Sequence, residues 1–394
     1  MRKLKVGTVL IILNIIAVCG EPSWIYKNVN KFIGDFHEVL ASESNNGAFS
    51  ALGTWLLLSM TYHGAAEKTR NLFHPVIGHG PESRRTILKA QKEFIKTFKG
   101  DSSSGLIWIN KIYLADDITI NPDFNKIVKS IFQSSARNID FHDPIEASDT
   151  INYQIDDETD STFSKIVIPA DFNRKTQLVL VNAIKFTGYW KFPFDASKTR
   201  KEKFQLGGGK TIYVPTMSAT FMCDAGTLKN IPAQYVVLLF KVKAIEEELK
   251  NEKLASIRNW KNKQKQKYHV QLPKFKIESN WNLDEPIKNL GLKNIFTNDA
   301  NFGRMTDESV SVDKILQNVK INVNEKGCSS SASSSSSYEN NDSNESSTWS
   351  HKKSTLSVRV DRPFLVFIMK KGVISLSARI TKPCFCRYKE SIIE

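Results

Sequence analysis

Three short segments carry residue types that enzymes use, but none has the spacing that its chemistry would require. Residues 100–105 read Gly-Asp-Ser-Ser-Ser-Gly and resemble the nucleophile loop of a serine protease, yet the glycine spacing is wrong and no partner histidine is marked. The run Gly207-Gly208-Gly209-Lys210 lacks the strand-loop-helix frame of a phosphate-binding loop. Cys223 has no recognisable catalytic context, and the seven histidines form no His-x-x-x-His pair for zinc. The sequence therefore predicts neither an enzyme nor a bound cofactor or metal.

A run of small uncharged residues is the most unusual chemical feature of the chain. Residues 328–337 contain one Cys, one Ala and otherwise only Ser. The run lies between Lys320-Ile-Asn-Val-Asn, which alternates like a strand, and Arg362-Pro-Phe-Leu-Val-Phe-Ile, which is also strand-like. Such a segment is either a flexible linker or a strand held in reserve, because small side chains can enter a sheet without steric cost.

The first twenty residues have the composition of a signal peptide. Three basic residues precede an apolar run at residues 6–18, and Val18 and Gly20 are small enough for the −3 and −1 positions of a cleavage site. The run is short for a membrane span, and no later segment reaches the roughly 18 apolar residues that a span needs. We expect residues 1–20 to lie outside the fold and the mature protein to be secreted and soluble.

Length, charge and cysteine content set further limits. The 394 residues suffice for one large domain, and the formal charge of +14 becomes about +11 if the three basic residues of the signal are lost. Such an excess favours acidic partners such as glycosaminoglycans, although a basic but unspecialised secreted protein fits equally well. The four remaining cysteines, Cys223, Cys328, Cys384 and Cys386, are too few for a disulfide scaffold, and their pairing stays open.

Hydrophobic periodicity predicts helices early in the chain and strands later. Helical patterns cover residues 25–42, 55–62, 83–99 and 249–266, the last of them highly charged. Strand patterns cover residues 178–186, 235–240 and 268–277, with a hairpin at 204–214. This order favours an α+β fold over a series of βαβ units.

A set of motifs follows in order along the chain from residue 178 onward. The stretch from Leu178 to Trp190, with Phe194-Asp195 and residues 199–204, resembles the signature that the serpin family has around its central sheet. Further matches follow in family order at residues 214–217, 271–277, 290–296, 302–305, 323–327 and 362–368. The resemblance covers about residues 25–383. It implies a single serpin domain at 21–383 with helices around three β-sheets, an exposed reactive loop at about 327–358, and a short tail at 384–394.

The resemblance also implies a mechanism and the residues that carry it. Inhibitory serpins are cleaved in the loop by a protease, and the freed segment inserts into the large sheet as a new strand. The loop hinge would comprise Glu325, Lys326, Gly327, Cys328, Ser330 and Ala332. The regions where the sheet opens, called the breach and the shutter, would include Trp190, Asn182, Ser50 and Gln317. Gly53 stands where the family usually has a serine, and its lack of a hydroxyl would change how easily the sheet opens.

The side chains of the run permit insertion without strongly favouring it. If position 328 faces the core, the inward set also contains Ser330, Ala332, Ser334, Ser336 and Tyr338, because strand residues alternate between faces. None is charged, so no unpaired ion would be buried. Each buried serine hydroxyl nevertheless needs a partner, at a cost of roughly 1–3 kcal/mol if it finds none.

The scissile bond has three candidates because the loop carries about eleven extra residues. Counting forward by family spacing places the bond after Asn341, whereas counting back from Pro363 places it after Lys352. The sequence His351-Lys352-Lys353 is a target for a trypsin-like protease, so Lys352 and Lys353 are both candidates. Asn341 and Asn344 begin the two N-glycosylation sequons, and a glycan at Asn341 would argue against cleavage there.

Two functions follow from these features. The first is a secreted suicide-substrate inhibitor of a trypsin-like serine protease, acting as a monomer. The second is a non-inhibitory serpin that acts as a substrate, decoy or carrier, because a long tether leaves slack between the inserted strand and the protease. No nucleic-acid partner is expected.

A basic helix face suggests one further partner. Arg85, Lys89, Lys92, Lys96 and Lys99 are spaced four and three apart, which places them on one face of the predicted helix at 83–99. By family order this helix binds heparin in some serpins. A polyanion site is therefore one interpretation, and an ordinary solvated face is the other.

Overall fold

The computed structural model describes residues 8–15, 23–40, 46–80, 82–99, 105–206, 209–227, 233–239, 266–328 and 356–383. Seven α-helices occur in these ranges: α1 Ser23–Leu40, α2 Ala51–Gly64, α3 Glu67–Ile77, α4 Arg84–Lys99, α5 Pro122–Phe132, α6 Pro144–Glu158 and α7 Asp284–Ile287. The helices predicted at 25–42, 55–62 and 83–99 are thus confirmed. The charged helix predicted at 249–266 falls outside the described residues up to 265.

Helix starts follow local capping chemistry. The side chain of Ser50 accepts a hydrogen bond from the Gly53 amide at the start of α2, and Asp143 caps α6 in the same way, ahead of a proline in the first turn. Every residue of α2 is buried. The helix contacts the strands Leu178–Phe186 and Val373–Ile380, which belong to two different sheets, so it lies in the core between them.

Sixteen strands occur in the described residues. Their bounds are β1 Thr8–Ile15, β2 Gly47–Phe49, β3 Leu106–Ala115, β4 Ser135–Ile139, β5 Leu178–Phe186, β6 Gly188–Tyr189, β7 Arg200–Gln205, β8 Thr211–Thr227, β9 Ala233–Leu239, β10 Gln266–Pro273, β11 Phe275–Asn282, β12 Lys314–Asn324, β13 Gly327–Cys328, β14 Leu356–Arg359, β15 Phe364–Lys370 and β16 Val373–Ile380. All nine residues of β5 are buried, as its continuous apolar sequence predicts.

The first sheet has the order β4-β3-β5-β12-β13-β6, with β11 on the other edge of β12. The remaining strands form two further sheets that share β8. The first part of this long strand pairs with β7 and β10, and its last four residues pair with β9. The sheet beyond β9 continues through β1, β15, β16 and β2. The expected arrangement of helices around three sheets is confirmed.

One local expectation needs correction. The strand predicted at 268–277 is two strands, because the extended strand is interrupted at Lys274 after Pro273, and β10 and β11 join different sheets. Residues 8–15 form β1, which pairs with β9 and β15. In the described part of the chain, no helix has the length and apolar character to cross a membrane.

Candidate functional site

The site lies in the first sheet, along the seam between β5 and β12. These strands pair in parallel from Val179 opposite Lys314 to Lys185 opposite Lys320. At the lower end, the Asp313 carboxylate accepts hydrogen bonds from the backbone amides of Gln177 and Leu178, at 2.7 and 3.0 Å. The seam is therefore closed over seven residue pairs, and a new strand would have to separate them.

The upper end of the seam is open and already holds the beginning of another strand. β13 pairs with β12 on one side, Cys328 opposite Val323, and with β6 on the other, Cys328 opposite Gly188. Since β6 continues the line of β5 beyond Thr187, β13 occupies the place that an inserted strand would extend. The predicted hinge residues Gly327 and Cys328 thus lie inside the sheet.

A turn at Glu325 and Lys326 carries the chain from β12 into β13. The carbonyl of Glu325 accepts from the Phe194 amide at 3.0 Å, and that of Lys326 accepts from the Trp190 amide at 2.9 Å. The Trp190 indole Nε1 donates to the carbonyl of Asn324 at 2.8 Å, and the ring is only 1% exposed. Trp190, predicted for the breach, therefore holds the turn in place.

The Glu325 carboxylate fixes the same turn from its other side. Lys274 Nζ lies 2.8 Å from one carboxylate oxygen, and Thr199 Oγ1 donates to the other at 2.8 Å. Burial by itself would raise the pKa of Glu325, but these hydrogen bonds outweigh burial and hold the pKa below its usual value. Lys274 lies within a matched motif, but sequence reasoning did not identify it as the partner of Glu325.

Position 327 requires glycine for two reasons. Its φ is +149°, which side-chain-bearing residues rarely adopt, and a Cβ there would lie 1.9 Å from the carbonyl oxygen of Gly188. The next side chain, Cys328, is fully buried, and its Sγ donates to the Phe186 carbonyl at 3.2 Å. Burial raises the pKa of this thiol to about 12, so it is protonated and unreactive at neutral pH.

The predicted shutter residues form one buried hydrogen-bond network. Gln317 Oε1 accepts from the Ser50 amide, and Gln317 Nε2 lies 2.8 Å from Asn182 Oδ1 and 2.9 Å from the Ser50 carbonyl. Asn182 Nδ2 in turn donates to the carbonyl of Ile109 and the side chain of Asn110. Gln317 therefore links β12 both to β5 and to the start of α2.

Gly53 has a packing role that the sequence does not reveal, in addition to the expected loss of a shutter hydroxyl. A Cβ at position 53 would lie 2.5 Å from Asn182 Oδ1, so the absence of a side chain makes room for the Asn182 amide. The glycine thereby allows close packing of α2 against β5.

A pair of lysines marks the point where the seam opens. Lys185 and Lys320 are the last opposed residues of the β5–β12 ladder. Lys185 Nζ donates to the Thr162 hydroxyl and Lys320 Nζ to the Thr162 carbonyl, in the segment after α6. Burial, and then the charge of Lys320, lower the pKa of Lys185. Like charges directly opposite weaken strand pairing, although the ion pair of Lys320 with Glu278, at 2.9 Å, offsets part of this repulsion. Sequence reasoning missed this pair, since it depends on strand register.

The basic residues predicted for one helix face lie together on α4. The reactive loop lies outside the described residues. Arg85, Lys89, Lys92 and Lys96 are exposed on α4, and none pairs with a described carboxylate. The Lys99 side chain is outside the described set. So are Ser330, Ala332, Asn341, Asn344, Lys352 and Lys353.

One group of described side chains could hold a cation. Asp116, Asp140 and His142 offer ligand atoms within 4.8 Å of one another. All three are exposed, and exposed acidic groups are common without an ion, so this group carries no argument for a metal site.

Comparisons with known proteins agree with this geometry. A family model described as Serpin (serine protease inhibitor) matches residues 27–383. Alaserpin of Manduca sexta is 28% identical over 299 residues, which are 70% of this chain and 72% of that protein. Glia-derived nexin of Mus musculus is 27% identical over 379 residues, which are 90% of this chain and 92% of that protein.

Comparison with solved structures supports the same family. Serpin48 of the insect Tenebrio molitor, described as a highly specific serpin, superposes with a TM-score of 0.78 at 25% identity, covering 93% of this chain and 100% of that one. Native protease nexin-1 with heparin superposes with a TM-score of 0.74 at 26% identity, covering 92% and 99%. The family is one of protease inhibitors rather than enzymes. With a family model that spans most of the chain and a sheet that already holds the first residues of its loop, this protein belongs to the serpin family.

Proposed function

We propose that this serpin is a suicide-substrate inhibitor of a trypsin-like serine protease. Cleavage would occur after Lys352 or Lys353, and the segment from Gly327 onward would enter the first sheet between β5 and β12. The observation that carries the proposal is β13, because Gly327 and Cys328 already pair with β12 directly above the β5–β12 seam. A trypsin-like enzyme is favoured since its specificity pocket takes a basic side chain.

The register of β13 predicts how long an inserted strand would be, and this length supports the proposal. Cys328 lies opposite Val323, so an antiparallel strand continued along β12 would bring Ser337 opposite Lys314, the first residue of β12. Residues 327–337 are also the uncharged stretch of the loop, and the first charge after them is Glu339. The available edge of β12 and the small-residue run therefore have the same length.

The burial of Cys328 supports the parity assumed from the sequence. Directly opposed residues of antiparallel strands share a face, so Ser330, Ala332, Ser334 and Ser336 would enter beside Ile321, Val319, Gln317 and Ile315, all of which are buried. Ser334 would come between Gln317 and Asn182. Its hydroxyl could then replace the hydrogen bond between those two side chains that insertion must break.

Incubation with trypsin, followed by a denaturing gel, tests the proposal. We expect a covalent complex of serpin and protease, and sequencing of the released peptide should identify Lys352 or Lys353 at the cleaved bond. The cleaved protein should melt at a higher temperature than the intact one, because insertion adds a strand to the sheet. Complete cleavage without a complex would contradict inhibition.

A matched pair of substitutions tests the insertion step itself. Ser334→Glu would bury a charge and should abolish both the complex and the rise in melting temperature. Ser331→Glu places the same charge on the other face of the strand, opposite the partly exposed Lys320, and should leave both largely intact. Equal behaviour of the two variants would rule out strand insertion with this register.

The alternative is a non-inhibitory serpin that is a substrate, decoy or carrier. The extra loop residues and the serine-rich hinge favour this alternative. A longer tether lowers the force on the bound protease, and buried hydroxyls without hydrogen-bond partners make insertion less favourable. In that case Ser334→Glu and the unsubstituted protein would both be cleaved cleanly by trypsin.

We further propose that the protein acts outside the cell as a monomeric glycoprotein. The composition of residues 1–20 supports export, and the sequons at Asn341 and Asn344 support glycosylation of the loop. Treatment of the secreted protein with an N-glycosidase should lower its mass. Light scattering should give the mass of one chain.

A polyanion such as heparin is the proposed second partner, bound by Arg85, Lys89, Lys92, Lys96 and Lys99. The four side chains of this set that are described are exposed on one helix face, and a relative of known structure was crystallised with heparin. Neutralising the five residues should lower the salt concentration that elutes the protein from heparin. Neutralising five exposed basic residues outside α4, namely Lys165, Arg174, Lys175, Lys201 and Lys203, is the control for net charge, and equal shifts would contradict a specific site.

A further inference from the structure

Two arginines contact the C-terminal end of α2 from neighbouring helices. Arg70, on α3, donates from Nη2 to the Tyr62 hydroxyl at 2.9 Å, and its guanidinium lies 4.9 Å from the centre of the Tyr62 ring. Arg84, the first residue of α4, places Nη2 3.5 Å from the His63 carbonyl. Both arginines are partly buried, so their charges are only partly surrounded by water.

A third arginine joins this end of α2 from the segment before β12. The Arg304 backbone amide donates to the Gly64 carbonyl at 3.1 Å. Burial, and then the charges of Arg304 and Arg70, lower the pKa of Arg84. The same three charges add to the effect of burial in lowering the pKa of His63. Because interactions between charges weaken with distance, these three arginines lie close together, and we call them the arginine cluster.

The positive charge of the arginine cluster is not balanced by neighbouring carboxylates. Within the described part of the chain, none of its members forms an ion pair with an Asp or a Glu. Asp123, on α5, acts on the pKa of Arg84 less strongly than either of the other two arginines. The carbonyl groups at the end of α2 supply only partial negative charge.

The cluster also has hydrogen-bond donors left for a ligand. A guanidinium carries five N–H donors. In the described structure, one donor of Arg70 and one of Arg84 have acceptors, and the Arg304 side chain donates no hydrogen bond to a described residue. Donors and excess positive charge therefore coincide at one place.

This place is separate from the basic face of α4 that carries the proposed polyanion site. Consecutive residues of a helix point about 100° apart, so Arg84 and Arg85 lie on different faces. Arg84 approaches the end of α2, whereas Arg85 is exposed. The other two members of the cluster do not belong to α4 at all.

We infer that the arginine cluster binds one tetrahedral oxyanion, a phosphate or a sulfate group, between Arg70, Arg84 and Arg304. Guanidinium groups match the oxygens of such an anion with parallel pairs of hydrogen bonds. The bound anion offsets the repulsion among the three cations. It also links α3, α4 and the segment before β12 at the end of α2. A free ion and the ester of a larger molecule both offer this chemistry.

Isothermal titration calorimetry with inorganic phosphate, at constant ionic strength in chloride, tests the site. We expect saturable binding of one anion per chain, and Arg304→Gln should weaken it by at least about tenfold. Arg85→Gln is the matched control, because it removes the same charge beside Arg84 on the other helix face, and it should change the affinity by less than about twofold. Equal losses in the two variants would overturn the inference, as would no saturable binding.

Melting temperatures separate an anion site from a purely structural role. In chloride, Arg304→Gln should melt at the same temperature as the unsubstituted protein or higher, because a like charge has been removed. Phosphate should raise the melting temperature of the unsubstituted protein by mass action and should leave that of the variant nearly unchanged. An equal rise in both would reflect the general effect of phosphate on protein stability and would overturn the inference. Arg84→Gln provides the same comparison if Arg304→Gln does not fold.

Titration with inorganic sulfate and with glucosamine 6-sulfate identifies the source of the anion. Tighter binding of the inorganic ion would indicate a free anion, and tighter binding of the sugar would indicate an ester group of a larger molecule. If Arg304→Gln weakens neither, the cluster is not an oxyanion site. None of these measurements uses trypsin or heparin, so they are independent of the tests of the proposed function.

Discussion

Gly327 joins the loop to the sheet with a φ of +149° and with its Cα in close approach to the Gly188 backbone. The turn before it is held by Trp190 and Glu325, and the residue after it is a buried thiol. Because each of these contacts involves the hinge, a single substitution can displace the hinge from the sheet. The exposure of a single residue, Cys328, can then report that displacement. Two predictions belong to this scale.

Gly327→Ala should expel the hinge from the sheet. The added methyl group would overlap the Gly188 carbonyl, and the backbone conformation would be strained by about 1–3 kcal/mol. Since expulsion exposes Cys328, its alkylation by N-ethylmaleimide should become several-fold faster, as measured by peptide mapping. Gly34→Ala is the control, because a Cβ at position 34 meets no atom within 4 Å. Unchanged labelling of Cys328 would contradict this account of the hinge.

Gln317→Leu should destabilise the closed sheet. The change removes the link from β12 to both Ser50 and Asn182 and leaves buried polar groups without partners. We expect the free energy of unfolding in urea to fall by about 2–4 kcal/mol. Gln205→Leu, at an exposed position of β7, should change it by less than about 0.5 kcal/mol. Similar losses for both variants would show that Gln317 has no special role.

At the scale of elements, α2 connects the seam to the helical side of the molecule. Its N-cap, Ser50, is bonded to Gln317, and its last turn carries His63. His63 Nε2 lies 2.7 Å from Gln91 Oε1 on α4, and Gln91 Nε2 lies 2.8 Å from His79 Nε2 in the segment after α3. This chain of buried groups ties α2, α3 and α4 together, and it leaves no acceptor for an additional proton on His79.

The same histidines predict a loss of stability in acid. Burial lowers the pKa of His63 and of His79 to about 3, and that of His37 on α1 to about 4, from 6.5. Below about pH 6.5 the unfolded chain therefore binds more protons than the folded one. The stabilisation is complete above that pH and declines as the pH falls toward the folded-state values, by at most about 1.4 kcal/mol per histidine per pH unit.

Urea unfolding between pH 7.5 and 4.5 measures this decline. His79→Gln should reduce the slope of the free energy of unfolding against pH, because one buried site no longer takes up a proton on unfolding. If His79→Gln gives the same slope as the unsubstituted protein, the pH dependence arises elsewhere.

At the scale of the whole molecule, inhibition depends on coupling between strand insertion and the protease at the far end of the loop. An inserted strand of residues 327–337 would leave residues 338–352 between the sheet and a protease attached at Lys352. A tether of this length lowers the force that strand insertion can exert on the protease. The family fold is thus compatible with inhibition, while the loop length limits its efficiency.

Deletion of the eleven residues 339–349 should increase the fraction of protein that forms a covalent complex with trypsin. The shorter tether transmits more of the pull from the inserted strand and leaves His351-Lys352-Lys353 unchanged. Densitometry of the complex and cleaved bands at equal protease ratios gives the measurement. Replacement of the same eleven residues by a Gly/Ser segment of equal length controls for loss of the sequons, and an equal gain in that variant would show that length is not the limiting factor.

The short-range parts of this fold could be predicted because their signals are local. The apolar spacing at 25–42 and 83–99 repeats at the helical period, and the uniform apolar run of β5 indicates a strand buried on both faces. The break at Lys274 was missed because β10 and β11 have the same alternation, and only membership of different sheets separates them. The opposed lysines Lys185 and Lys320 were missed for a similar reason, since strand register is not encoded within either strand.

The sequence by itself determined the family, the elements and an uncharged inward face for the loop, because motif order, periodicity and side-chain charge are properties of contiguous residues. Only the tertiary structure decided that the seam is closed by Gln317 and Asp313, that Gly327 and Cys328 lie within the sheet, and that residues 8–15 form an interior strand. Each of these depends on backbone or side-chain groups that are distant along the chain, and folding alone brings them within hydrogen-bonding distance.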